Sequence, residues 1–85
     1  MSLAAQLLEK ARKTGVMVAC AESCTGGMVA AALTDLPGPS ALLDRGFVTY
    51  TDAAKIAMLG VSEATLAQWG AVSEQVAAEM AAGAL

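Results

Sequence analysis

The segment Ala21-Glu22-Ser23-Cys24-Thr25-Gly26-Gly27 sets a carboxylate, a hydroxyl, a thiol and a second hydroxyl in four consecutive positions and follows them with two glycines. The apolar run Val16-Met17-Val18-Ala19 precedes it, and an alanine-rich run from Met28 to Leu33 comes after. A strand that ends in a polar, glycine-rich turn and opens a helix is where α/β proteins place ligands. Ser23 is the leading nucleophile, because the unpaired N–H groups of a helix N-terminus can stabilise an oxyanion or bind a phosphate. Gly26 and Gly27 let a substrate approach the backbone closely. The same pattern also suits Ser23 or Thr25 as a plain N-cap. Cys24 is a rival, since a thiol at a helix N-terminus ionises more readily, although neighbours in a tight turn point apart and would not share one pocket with Ser23. Glu22 either orients a hydroxyl or a ribose, or caps backbone N–H groups.

A serine hydroxyl needs a base before it attacks. The chain has no histidine, which rules out a Ser-His-Asp arrangement within it. Lys55 is the best remaining base, with Tyr50 as a proton relay or a donor to a developing charge. A lysine in that role must be partly desolvated to lower its pKa. The plainer alternatives are a solvated helix residue for Lys55 and a strand-end aromatic for Tyr50. Gly27-Met28-Val29 lacks the Lys and Ser/Thr of a Walker-type phosphate loop, and the G-x-G-x-x-G dinucleotide pattern is absent. Spacing leaves amide or ester hydrolysis at a Ser-Lys-Tyr site as one option and goes no further.

The elements that must position these groups follow from periodicity and punctuation. Ser2 caps a helix from about Leu3 to Lys13, with Leu3, Leu7 and Ala11 on its apolar stripe and Gly15 as its stop. Val16 to Cys20 reads as a strand buried on both faces. A helix from Gly26 or Gly27 to Thr34 is apolar enough to pack directly on the sheet. Leu36-Pro37-Gly38-Pro39-Ser40 is a loop on turn chemistry. Arg45 to Tyr50 is the second strand, rich in β-branched and aromatic residues. Thr51 or Asp52 caps a short helix through Lys55 to Met58, ended by Gly60. Ser62 opens another to about Gln68, closed by Gly70, and Ser73 opens a last one. If the strands are parallel neighbours, Tyr50 and Lys55 reach the sheet edge that carries Ser23. Two strands make a marginal ribbon, and the last helix stops in mid-pattern at Ala84-Leu85, so the chain reads as the first half of a larger α/β domain.

Composition bounds the partners. Eighty-five residues make at most one domain, and a chain this short buries only about 60–65% of its unfolded surface. A net charge of −3 argues against nucleic acid, and the one basic cluster, Lys10, Arg12 and Lys13, sits where it complements the dipole at a helix C-terminus. No apolar run approaches the roughly 20 residues of a membrane-spanning helix, and the charged start is unlike a signal peptide. These features predict a cytoplasmic location with Cys20 and Cys24 as reduced thiols. Two cysteines without histidine leave no structural zinc site, and neither metal nor cofactor is expected.

The turn motif closely resembles the signature of the CinA C-terminal domain family, the bacterial nicotinamide-nucleotide amidohydrolases. The resemblance continues through Leu33-Thr34-Asp35-Leu36-Pro37-Gly38, Gly46-Phe47-Val48-Thr49-Tyr50, Ala54-Lys55, Leu59-Gly60-Val61 and Gly70-Ala71-Val72-Ser73-Glu74, so it covers nearly the whole chain. It implies a three-layer α/β domain and hydrolysis of the carboxamide of nicotinamide mononucleotide to nicotinate mononucleotide and ammonia. It also implies Ser23 as nucleophile, Lys55 as the base that takes its proton, and Tyr50 as an aid to proton transfer to the leaving ammonia. Glu22, Cys24, Thr25, Gly26 and Gly27 become the substrate-binding turn, with no metal. Family domains are about twice this length, and the glycine-rich Thr-Gly-Ile-Ala-Gly-Pro-type loop of their second half has no match here. Two competing readings follow: a non-catalytic nucleotide-binding or regulatory module, or an inactive fragment whose sheet edge recruits a second copy as a homo-oligomer.

Overall fold

Ser2, Thr51, Ser62 and Ser73 each present a side-chain oxygen that accepts the backbone N–H three residues ahead, and each starts a helix. The computed structural model describes residues 2–35 and 42–85. Its order is α1 (Leu3–Thr14), β1 (Val18–Glu22), α2 (Met28–Thr34), β2 (Leu43–Val48), α3 (Asp52–Leu59), α4 (Glu63–Trp69) and α5 (Glu74–Ala84). The loop expected over Leu36 to Ser40 lies outside the described residues. Gly15 and Gly60 close α1 and α3 in the left-handed conformation that glycine adopts without strain.

The two strands pair in parallel, with Cys20 beside Gly46, Ala21 beside Phe47 and Glu22 beside Val48. Paired residues of parallel strands share a face, so alternation divides the ribbon cleanly. Ala21 and Phe47 pack on a core of Leu59, Val61, Val76 and Met80 from the α3–α5 side. On the other face Val18 and Leu33 pack on Leu8, Ala11 and Leu42, and Ala30 of α2 rides over Gly46. Helices therefore cover both faces of the sheet in a mixed α/β arrangement.

Both strands are displaced by two residues from the expected ranges, in opposite directions. β1 begins at Val18 and runs on into Glu22, because that carboxylate finds partners at the strand end (below). β2 begins at Leu43, opposite Val18, whose N–H donates to the Leu42 carbonyl at 2.7 Å, and it ends before Tyr50. The expectation of a strand buried on both faces is also corrected. Val16 and Met17 are exposed and precede β1, while Val18 to Ala21 are only half-buried, since a two-stranded ribbon leaves much of each strand uncovered. Likewise α2 packs on the sheet through Ala30 and Leu33 but leaves Met28 and Val29 exposed.

The tightest helix contact is at Gly83 of α5, where a β-carbon would sit 1.9 Å from the Leu59 carbonyl oxygen. Replacing a helical glycine by alanine ordinarily stabilises by about 0.5–1 kcal/mol. Here the added methyl meets backbone that cannot rotate away, so overpacking of about 1–3 kcal/mol prevails. Gly83→Ala is expected to lower the melting temperature by several degrees, measured by circular dichroism; an unchanged or higher value contradicts the close α3–α5 contact.

Candidate active site

The turn after β1 is built around the Glu22 side chain, which is 3% exposed. Oε1 accepts from the Thr25 hydroxyl at 2.7 Å and from the Gly27 and Val29 N–H groups at 3.0 Å each, and Oε2 accepts from the Ala30 N–H at 3.0 Å. The N-cap position itself is Gly27, which has no side chain to offer. Glu22, five residues upstream, thus does the work of the cap. Gly26 and Gly27 supply the positive φ values, 59° and 110°, that bend the chain back over this carboxylate. Of the two roles weighed for Glu22, the geometry has the capping one. The N–H groups at the start of α2 that the sequence offered to an oxyanion or phosphate are occupied by the protein's own carboxylate.

This environment sets the charge states nearby. Burial by itself would raise the Glu22 pKa, but the hydrogen bonds from Ala30, Thr25, Val29 and Gly27 outweigh it and hold the carboxyl down to about 2. The Cys20 Sγ lies 3.8 Å from Glu22 Oε2. Its own burial, then the charge of Glu22 and the hydrogen bond to it, push that thiol above its ordinary value, so Cys20 stays protonated at neutral pH.

With Glu22 as the cap, Ser23 is left for other work. Its hydroxyl bonds to none of the described residues, and it lines a cavity of about 780 Å³ between the end of β1 and α5. Glu22, Cys24 and Thr25 share that wall, so Ser23 and Cys24 border one cavity after all, contrary to the expectation from the tight turn, and Val72, Ser73 and Met80 face them. Cys24 is exposed. Gly26, Gly27, Tyr50 and Lys55 do not line this cavity.

Lys55 is 1% exposed, not solvated, and its Nζ donates to the Thr49 carbonyl at 2.8 Å. Thr49 in turn donates to the Glu22 carbonyl from its N–H at 2.8 Å and from Oγ1 at 3.3 Å. Lys55 is therefore two hydrogen bonds from the peptide group that joins Glu22 to Ser23. Tyr50 directly follows Thr49 and is 70% exposed. Sequence reasoning passed over Thr49 and Ser73. A threonine in a β-branched run gives no sign of its burial, and Ser73 shares a cavity with the turn only because α5 packs across β1. Among the described residues no cluster of three or more His, Cys, Asp or Glu could hold a metal ion, and no helix is long and apolar enough to cross a membrane.

A family model described as the CinA C-terminal domain matches residues 1–85. The nicotinamide-nucleotide amidohydrolase PncC of Escherichia coli (strain K12) is 55% identical over 85 residues, covering 100% of this chain and 52% of that protein. The Enterobacter agglomerans protein of the same name is 66% identical over 71 residues, 84% of this chain and 43% of its own length. The crystal structure of a competence/damage inducible protein from Agrobacterium tumefaciens superposes with a TM-score of 0.92 at 52% identity, covering 100% of this chain and 56% of that one. The chain thus spans about half the length of the curated relatives it matches.

The Glu22 cap carries a pH signature. Its folded pKa lies below the ordinary 4.5, so the ionised carboxylate stabilises the fold fully above about pH 4.5, and that contribution is lost as the pH falls towards about 2. Glu22→Gln turns an amide donor towards backbone donors and is expected to destabilise at pH 7. The gap from the unsubstituted chain should narrow through the acid window, as read by denaturant unfolding at pH 7 and pH 3. A gap that stays constant with pH shows that the charge is not what caps α2.

Proposed function

The chain belongs to the CinA C-terminal domain family, and on that premise we propose that it carries the nucleophile, base and proton relay of a nicotinamide-nucleotide amidohydrolase. Ser23 Oγ attacks the carboxamide carbon of nicotinamide mononucleotide while Lys55 takes the hydroxyl proton. Collapse of the tetrahedral intermediate breaks the C–N bond. The proton passes from Lys55 by way of the Tyr50 hydroxyl to the departing nitrogen, which leaves as ammonia. Water then hydrolyses the Ser23 ester to nicotinate mononucleotide, with Lys55 again moving the proton. Cys24, Thr25, Gly26 and Gly27 form the turn against which the substrate lies, and Glu22 shapes that turn from behind.

The observation that carries this reading is the freedom of Ser23. Capping of α2 is met by Glu22, and the Ser23 hydroxyl is left on a cavity wall. Two further features support it. Lys55 is buried, and its Nζ donates to the carbonyl of Thr49, whose own N–H donates to the Glu22 carbonyl next to Ser23. In addition, relatives sharing more than half of these residues bear the amidohydrolase name.

The test is ammonia release from nicotinamide mononucleotide by the chain, and by a chimera in which it replaces the matching 85 residues of the E. coli relative. In the active form Ser23→Ala is expected to abolish turnover, a loss of at least about 10³-fold, and Lys55→Met to cost about 10²–10⁴-fold. Tyr50→Phe should slow turnover by about 10²-fold. Nucleotide binding without ammonia release in either form, or turnover unchanged by Ser23→Ala, overturns the mechanism.

A further inference from the structure

We propose that Thr49 is a positioning residue that sets the Ser23 turn against Lys55 and Tyr50, an inference that rests on the hydrolytic reading above. Thr49 is fully buried, and each of its polar groups is directed at one of those partners. Its N–H and its Oγ1 both donate to a single acceptor, the Glu22 carbonyl, at 2.8 and 3.3 Å. Its own carbonyl accepts from Lys55 Nζ at 2.8 Å. The Glu22 carbonyl belongs to the peptide unit whose nitrogen is that of Ser23, and Tyr50 is the next residue after Thr49.

The second donor is the telling feature. Continuing the parallel pairing beyond Val48 requires only the backbone N–H, and valine would match threonine in shape while sparing the burial of a hydroxyl. A hydroxyl spent on an oxygen that already has a donor fixes the tilt of the Glu22–Ser23 peptide plane. The Lys55 bond fixes the neighbouring Thr49–Tyr50 plane in the same way. Residue 49 thereby couples the orientation of the nucleophile's backbone to that of the base and the tyrosine. Small errors in such placement are costly in rate because the reacting atoms must meet within a narrow range of distance and angle.

The experiment compares Thr49→Val, which keeps the shape and removes the hydroxyl, with Thr49→Ser, which keeps the hydroxyl. Both are made in the 85-residue chain, and two readouts are taken: steady-state ammonia release from nicotinamide mononucleotide, and amide hydrogen exchange. Thr49→Val is expected to lower kcat about tenfold with KM within about twofold, and Thr49→Ser to recover most of kcat. Wild-type kcat in the valine variant, or a serine variant as slow as the valine one, overturns the proposal. If the unsubstituted chain releases no ammonia, the hydrolytic reading is what fails for it, and the exchange data then decide the positioning. Thr49→Val should raise exchange about tenfold at Gly26 and residue 49 relative to the α5 amides, with Thr49→Ser close to wild type. Equal rates in all three proteins refute it.

Discussion

The Glu22 carboxylate governs the geometry of the whole turn. Four donors from the six residues Thr25 to Ala30, with the Cys20 thiol beside them, converge on its two oxygens, and this lets a charged residue end a strand with almost no exposure. Without those donors the burial cost of the charge would exclude Glu22 from the strand end. With them, the carboxylate sets where β1 stops, where α2 starts and how the two glycines between must bend. It also determines what is left over. The helix N–H groups are consumed, Cys20 is held as a neutral thiol, and Ser23 is relieved of capping and left beside the cavity.

A second, smaller set of bonds joins this turn to the other strand. The end of β2 is fastened to the end of β1 through Thr49, and Thr49 is fastened to α3 through Lys55. Polar contacts at a parallel strand end are where α/β folds gather functional groups, because the strands stop together and their loops leave from one edge. In this chain that edge carries Ser23 after β1, Tyr50 after β2 and Lys55 from α3. The apolar cores on the two faces hold the sheet in place, while the polar bonds at its edge set the angles of the groups it presents.

Ser23 faces a cavity bordered by β1 on one side and α5 on the other. Exposed Trp69 ends α4, and exposed Val72 lies on the connection into α5. The relatives that share this half of the fold at high identity are about twice as long, and family membership extends over all 85 positions.

Much of this was legible in the residues themselves. Helix caps at Ser2, Thr51, Ser62 and Ser73, the stops at Gly15 and Gly60, and the strand-turn-helix junction at Glu22 to Gly27 are local signals, set by side-chain oxygens and glycine conformations a few residues apart. Chemistry and resemblance together singled out Ser23, Tyr50 and Lys55, and the order of elements matched the α/β class. The strand limits were missed by two residues because pairing register, and the hydrogen bonding of ionised Glu22 by the turn and helix that follow it, are properties of two segments at once. The burial of Lys55, the full burial of Thr49 and the approach of Ser73 to the turn were likewise decided only by tertiary structure. Each depends on contacts between segments distant in the chain, and single-segment periodicity carries no information about the partner across the fold.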